Sequence, residues 1–212
     1  PQVDPRVVST QTTLDGGSWS DETYEYDTYN NRTAEREWAF GVVPGGANVP
    51  VRKKTTSYVT TYSTSSGSFA YDADVSIHLR SLPLVEQIYD GEATLKAERT
   101  YEHDKYQSDS NHFPLVARAN ASGRVSGFGT GYTPRGNPTG VGRLWAGGVP
   151  SASYVWTYAA YDVLGNVVWS QDANGNATSY AFDDNFGAPD DEARTNTQPD
   201  ELGTDPPLHA WA

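Results

Sequence analysis

The sequence predicts an all-β fold of antiparallel β-hairpin repeats, a ribbon or sheet with little or no helix. Three observations carry that expectation. The 212 residues include 14 Tyr, 6 Trp and 6 Phe beside 20 Gly and 13 Pro, and neither Cys nor Met occurs. Aromatic and β-branched side chains favour pleated surfaces, and Gly and Pro punctuate turns. Hydrophobic residues recur with a period of two, whereas helical spacing is hard to find, and turn dipeptides separate the runs.

Residues 1–22 are polar with few anchors and read as an N-terminal arm. A β body follows over 23–182. It begins where Tyr24 and Tyr26 alternate with Thr23 and Glu25, and Asn30-Asn31 closes that run. The segment Pro44 to Pro50 reads as a second turn. Tyr58, Thr60 and Tyr62 form a further period-2 set before the turn signal Ser63 to Ser68. Asp90-Gly91 marks the next hairpin, after which Leu95, Ala97, Arg99 and Tyr101 oppose Lys96, Glu98 and Thr100. Between 123 and 148 there are nine glycines, a density that favours bends and bulges over long regular strands. Tyr154, Trp156 and Tyr158 share one strand face, and Gly165-Asn166 and Asn174-Gly175 close the last hairpins. The final stretch, 183–212, holds eight acids against Arg194 alone and four prolines, and reads as an extended acidic tail.

One dipeptide keeps returning, an aromatic followed by Asp: Tyr26-Asp27, Tyr71-Asp72, Tyr89-Asp90, Tyr161-Asp162 and Phe182-Asp183, with the variant Tyr101-Glu102-His103-Asp104. A self-similar strand–turn–strand unit signals repeat architecture. The aromatic anchors a strand end, the carboxylate accepts from turn amides, and a pair such as Gly165-Asn166 closes the hairpin. On these residues, above all over Tyr158 to Gly187, Tyr24 to Arg32 and Val85 to Tyr106, the chain resembles the RHS, or YD-repeat, family of large bacterial secreted and surface proteins. The resemblance implies hairpin ribbons coiling into a shell that often encloses a toxic segment. It also implies an extracellular, secreted or cell-surface location. Closing such a shell takes a far longer chain. This one therefore reads as a shell fragment or as a unit that extends through its open strand edges. The opening Pro1-Gln2-Val3-Asp4 reads as a processed chain or a segment of something larger. The Asp-Pro pairs at Asp4-Pro5 and Asp205-Pro206 lack the flanks of the family's autoproteolytic motif, so no protease activity is carried over.

The remaining motifs point away from catalysis and cofactors. A net charge of −12 opposes the basic footprint that nucleic acid or anionic lipid requires, and no apolar run approaches the roughly 20 residues of a membrane-spanning helix. Of His78, His103, His112 and His209, only His103 and His112, with Asp104 and Asp109 between them, suggest a metal, and ordinary turn and strand roles are favoured. The run Asp172-Ala173-Asn174-Gly175-Asn176 departs from a calcium loop in its Gly position and lacks the closing Glu, which favours a hairpin turn. No nucleophile elbow, phosphate loop or marked carboxylate pair is present, and no catalytic residue is assigned. Trp19, Trp38, Trp145, Trp156 and Trp169 could stack on sugars, although cross-strand packing is the favoured role. Glycosylation sequons stand at Asn31, Asn120 and Asn176. The expectation is a non-catalytic extracellular structural module. It would extend into a filament or shell by pairing of β edges or terminal arms with copies of itself or adjacent repeats. The alternatives are a glycan-binding or adhesion module, or a fragment of a toxin-encapsulating shell.

Overall fold

A computed structural model describes residues 5–64, 67–73, 77–118, 125, 127–145 and 153–180. Asn120, Phe182, Asp183, His209 and the tail 183–212 lie outside them. The fold is all-β, and the described residues contain no helix. Twelve strands follow one another: β1 (Ser9–Thr13), β2 (Trp19–Tyr26), β3 (Arg32–Glu37), β4 (Arg52–Tyr58), β5 (Thr61–Thr64), β6 (Gly67–Ala70), β7 (Pro83–Asp90), β8 (Thr94–His103), β9 (Pro138–Leu144), β10 (Tyr154–Tyr161), β11 (Val167–Gln171) and β12 (Ala177–Ser179). Ten of them hydrogen-bond in the order β1-β2-β3-β4-β7-β8-β9-β10-β11-β12, and β5 pairs with β6 apart from them. The chain divides into two compact units. Unit 1 comprises Pro1–Tyr101 and Gly142–Val155, and unit 2 comprises Glu102–Val141 and Trp156–Ala212.

In unit 1 the antiparallel registers align charged and apolar residues in rows across the strands. Glu35, Lys54, Ile88 and Ala97 lie side by side, and Thr56, Glu86 and Arg99 form the next row. Glu86 takes Lys54 at 3.3 Å, Arg99 at 3.8 Å and the Tyr101 hydroxyl at 2.5 Å. These neighbours hold its carboxyl below the usual range against the opposing effect of burial, which is the largest single influence. Another group gathers at Arg36, which meets Glu25 at 2.6 Å and Glu92 at 3.4 Å, while Lys53 reaches Glu92 at 3.0 Å. Such half-exposed pairs contribute little each, so this unit rests on ladder hydrogen bonds and cross-strand contacts. Among its described residues, Ala34, Trp38 and Tyr71 are buried.

Two features of unit 1 differ from the sequence-based expectation. The polar arm 1–22 contains β1, which pairs with β2 from Ser9↔Thr23 to Thr13↔Trp19. Here ladder hydrogen bonds suffice without apolar anchoring, since every β1 residue is exposed. The alternating set Tyr58, Thr60 and Tyr62 is broken at residues 59–60, where the chain leaves β4 and starts the β5–β6 hairpin.

Unit 2 has an apolar centre of Leu115, Tyr161 and Val163, with Tyr106, Ala159, Leu164 and Val167 packed on them. The glycine-rich stretch is not only bends, because residues 138–144 of it form the regular strand β9. Close approach explains one glycine there. A Cβ on Gly140 would stand 2.6 Å from a Glu102 carboxylate oxygen and 3.3 Å from the Tyr158 ring.

Candidate functional site

The recurrent aspartates build one local device. Oδ1 of Asp27 accepts from the N–H groups of Tyr29 and Asn31, both at 2.9 Å, and its Oδ2 accepts from the Asn31 side-chain amide at 2.8 Å. Asp162 repeats the pattern with Leu164 N–H at 2.8 Å, Asn166 N–H at 2.9 Å and the Asn166 amide at 2.8 Å. Asp172 repeats it with Asn174 and Asn176 at 2.9, 2.9 and 2.8 Å. The fourth residue of each turn has positive φ: Asn30 at 71°, Gly165 at 87° and Gly175 at 86°. A Gly or Asn is what tolerates that conformation. The unit is therefore Asp-x-x-(Gly/Asn)-Asn, with the terminal Asn as important as the Asp. At Asp172 the side-chain amide of Asn176, followed by its N–H, lowers the carboxyl below its ordinary value.

The aromatic of the dipeptide has its own place. Tyr26 pairs with Arg32, Tyr89 with Leu95 and Tyr161 with Val167, each six residues on, and each tyrosine follows a β-bulge. Asp90 departs from the lock: its carboxylate meets Lys96 at 3.3 Å, and Gly91 makes the turn with φ of 65°. Tyr71 is completely buried with its N–H on the Thr60 carbonyl, and the Asp72 carbonyl accepts from Arg80 Nε.

A fourth lock is split along the chain. Asp104, fully buried, accepts from the N–H groups of Arg135 at 2.7 Å, Gly136 at 2.6 Å and Asn137 at 2.9 Å, and from the Tyr106 hydroxyl at 3.1 Å. Its own N–H donates to the Asn137 carbonyl at 2.9 Å, as Asp162 N–H does to Asn166, and Gly136 has φ of 78°. Gly136-Asn137 thus stands where Gly165-Asn166 stands, with 29 additional residues inserted between the Asp and the Gly of the turn. Burial, reinforced by the Asp104 charge, raises the Tyr106 hydroxyl far above its ordinary value, so it remains a donor.

Several contacts among the described residues fasten the inserted segment. Arg135 spreads its guanidinium over four carbonyls: Tyr132 at 2.8 Å, Val163 at 2.9 Å, Phe128 at 2.7 Å and Gly129 at 2.9 Å. Arg118 reaches the buried Asp162 carboxylate at 2.8 Å, and Val116 exchanges main-chain bonds with Tyr161 and Val163. His112, 4% exposed, lies between two carboxylates, with Nδ1 2.9 Å from Asp109 and Nε2 2.8 Å from Glu102. The Tyr158 ring meets it edge-on at 5.2 Å, and Lys105 pairs with the other Glu102 oxygen at 2.9 Å. Each ring nitrogen of His112 thus faces a carboxylate oxygen.

The acid limb of this bridge has a definite sign. The Asn111 N–H, and after it the His112 ring, pull Asp109 from its ordinary 3.8 down to about 2. A carboxylate depressed on folding adds stability above its unfolded value and loses it as pH falls through the folded one. The Asp109–His112 contact should therefore persist to about pH 4 and open between 4 and 2. Trp169, whose ring lies 4.6 Å from that of the adjacent Phe113, reports the change through its indole NMR resonance. An Asp109→Asn chain should lack that acid transition; an unchanged transition would remove Asp109 as its cause.

The other sequence-predicted residues are dispersed. Among the described residues no group of three or more His, Cys, Asp or Glu is placed to hold a metal. His103 is buried, 3.4 Å from the Gly136 carbonyl. Trp38 is buried with its indole N–H on Thr23, Trp156 stacks on Tyr158 and Trp145 is 64% exposed. The Asn31 amide is spent twice, on Asp27 and on the Arg80 carbonyl, whereas Asn176 lies in an exposed turn with its amide on Asp172. Sequence reasoning missed Arg118, Arg135 and Asn137. The one available signal was Gly136-Asn137, the second half of the turn motif without its Asp nearby. No protein-family model matches the chain, and no similar protein was found among curated proteins.

Proposed function

We propose that the chain is a non-catalytic extracellular structural module of YD-like hairpins that joins further repeats, or copies of itself, through strand edges or terminal arms. The observation that carries this reading is the use made of its carboxylates. Asp27, Asp104, Asp162 and Asp172 are each committed to main-chain N–H groups of a turn. Acids spent in this way organise hairpins and are poorly placed to act on a substrate. Among the described residues β1 pairs only with β2 and β12 only with β11, and a strand with one side unpaired is a template for another chain.

Light scattering across a hundredfold concentration range, with electron microscopy of the same samples, tests the reading. The expected result is mass that rises with concentration and particles larger than a single chain. A monomer at every concentration would overturn the assembly role. Trp145, exposed on unit 1, is what favours glycan binding as the second reading. Glycan-array binding abolished by Trp145→Ala would favour that alternative.

A further inference from the structure

Resting on that structural reading, we infer that the joint is β1 itself, and that its partner is β1 of a second copy, paired antiparallel about Gln11. The hydrogen-bond pattern fixes which groups are offered. Val8 accepts from Tyr24 N–H at 2.9 Å, and Leu14 donates to Ser18 at 2.7 Å, so both positions bond inward to β2. Antiparallel ladders alternate, and the register places Thr10 opposite Glu22 and Thr12 opposite Ser20 as the inward pairs between them. The N–H and C=O groups of Ser9, Gln11 and Thr13 therefore face away from the sheet.

That edge lacks the usual guards against pairing. Natural edges are blunted by charge, proline or bulges. The β1 residues Ser-Thr-Gln-Thr-Thr include no charge and no proline, all are exposed, and their register with β2 is unbroken. Copies of a chain of charge −12 repel, so an uncharged strand is the place where two can meet closely. Antiparallel pairing centred on Gln11 sets Ser9 against Thr13 of the partner strand and joins three outward residues to three. It also brings the Arg6 end of each strand beside the Asp15 end of the other. Parallel pairing would set the two Asp15 carboxylates together. The contact is isologous and closes at two copies.

The absence of cysteine makes a direct test possible. In the full chain, Gln11→Cys places the two introduced thiols on directly opposed residues, roughly 5.5 Å apart at Cα, within disulfide reach. Mild oxidation should convert most of the chain to a covalent dimer, while Thr178→Cys on β12 should give little. Gln11→Pro removes an outward N–H and the exposed side-chain bond from Gln11 to Asp21 at 3.1 Å, leaves the main-chain β1–β2 ladder intact, and should weaken self-association at least tenfold with an unchanged circular dichroism spectrum. If assemblies persist in Gln11→Pro, or cross-link through Thr178→Cys instead, the joint is β12 or a terminal arm. The β1 inference then falls while the structural reading stands. If the unaltered chain is monomeric throughout, both fall.

Discussion

Asp104→Ala should destabilise unit 2 by about 3–5 kcal/mol, the scale for removing a buried charge on which several donors depend. Three main-chain N–H groups and the Tyr106 hydroxyl lose their acceptor at a site with no solvent exposure. Asp104→Asn should recover little, because the new amide turns one NH2 towards those same N–H groups. By contrast, Asp172→Ala, at an exposed turn where water can replace the carboxylate, should cost far less. Urea unfolding followed by tyrosine and tryptophan fluorescence measures the difference. Amide exchange at Gly136 and Asn137 localises it. Equal losses at Asp104 and Asp172 would show that the split turn has no special weight.

Arg135→Met should cost about 2–4 kcal/mol, because four carbonyls lose a charged donor together. Arg135→Lys separates charge from geometry. An ammonium is a point donor and cannot span carbonyls on both sides of the side chain, so lysine should restore only a small part. Limited proteolysis near Gly129 and Tyr132 is the local readout, with cleavage rising well before the rest of the chain unfolds. Full protection in Arg135→Lys would show that charge alone holds the loop.

The sequence was most legible where a contact closes within five residues. Asp162 to Asn166 and Asp172 to Asn176 carry acceptor, positive-φ residue and donor in one short segment, so their hairpins follow from local chemistry. Alternation located β2, β8 and β10 for the same reason. It failed at β1, whose Ser, Thr and Gln residues show no apolar face because the strand buries neither side. Glycine density misled at β9, where Gly140 yields space to Glu102 rather than bending the chain.

The sequence by itself determined the β class, the turn chemistry and the alternation of the strands, all set by interactions between near neighbours. Only the tertiary structure decided that Asp104 finds its turn partner 33 residues away and that His112 bridges Asp109 and Glu102. It likewise decided that Arg135 gathers four carbonyls, one of them at Val163. Those contacts depend on how the inserted loop returns to the sheet, and no local preference of the chain encodes that path. The acidic, aromatic composition is compatible with many such returns; burying Asp104 among three N–H groups selects one.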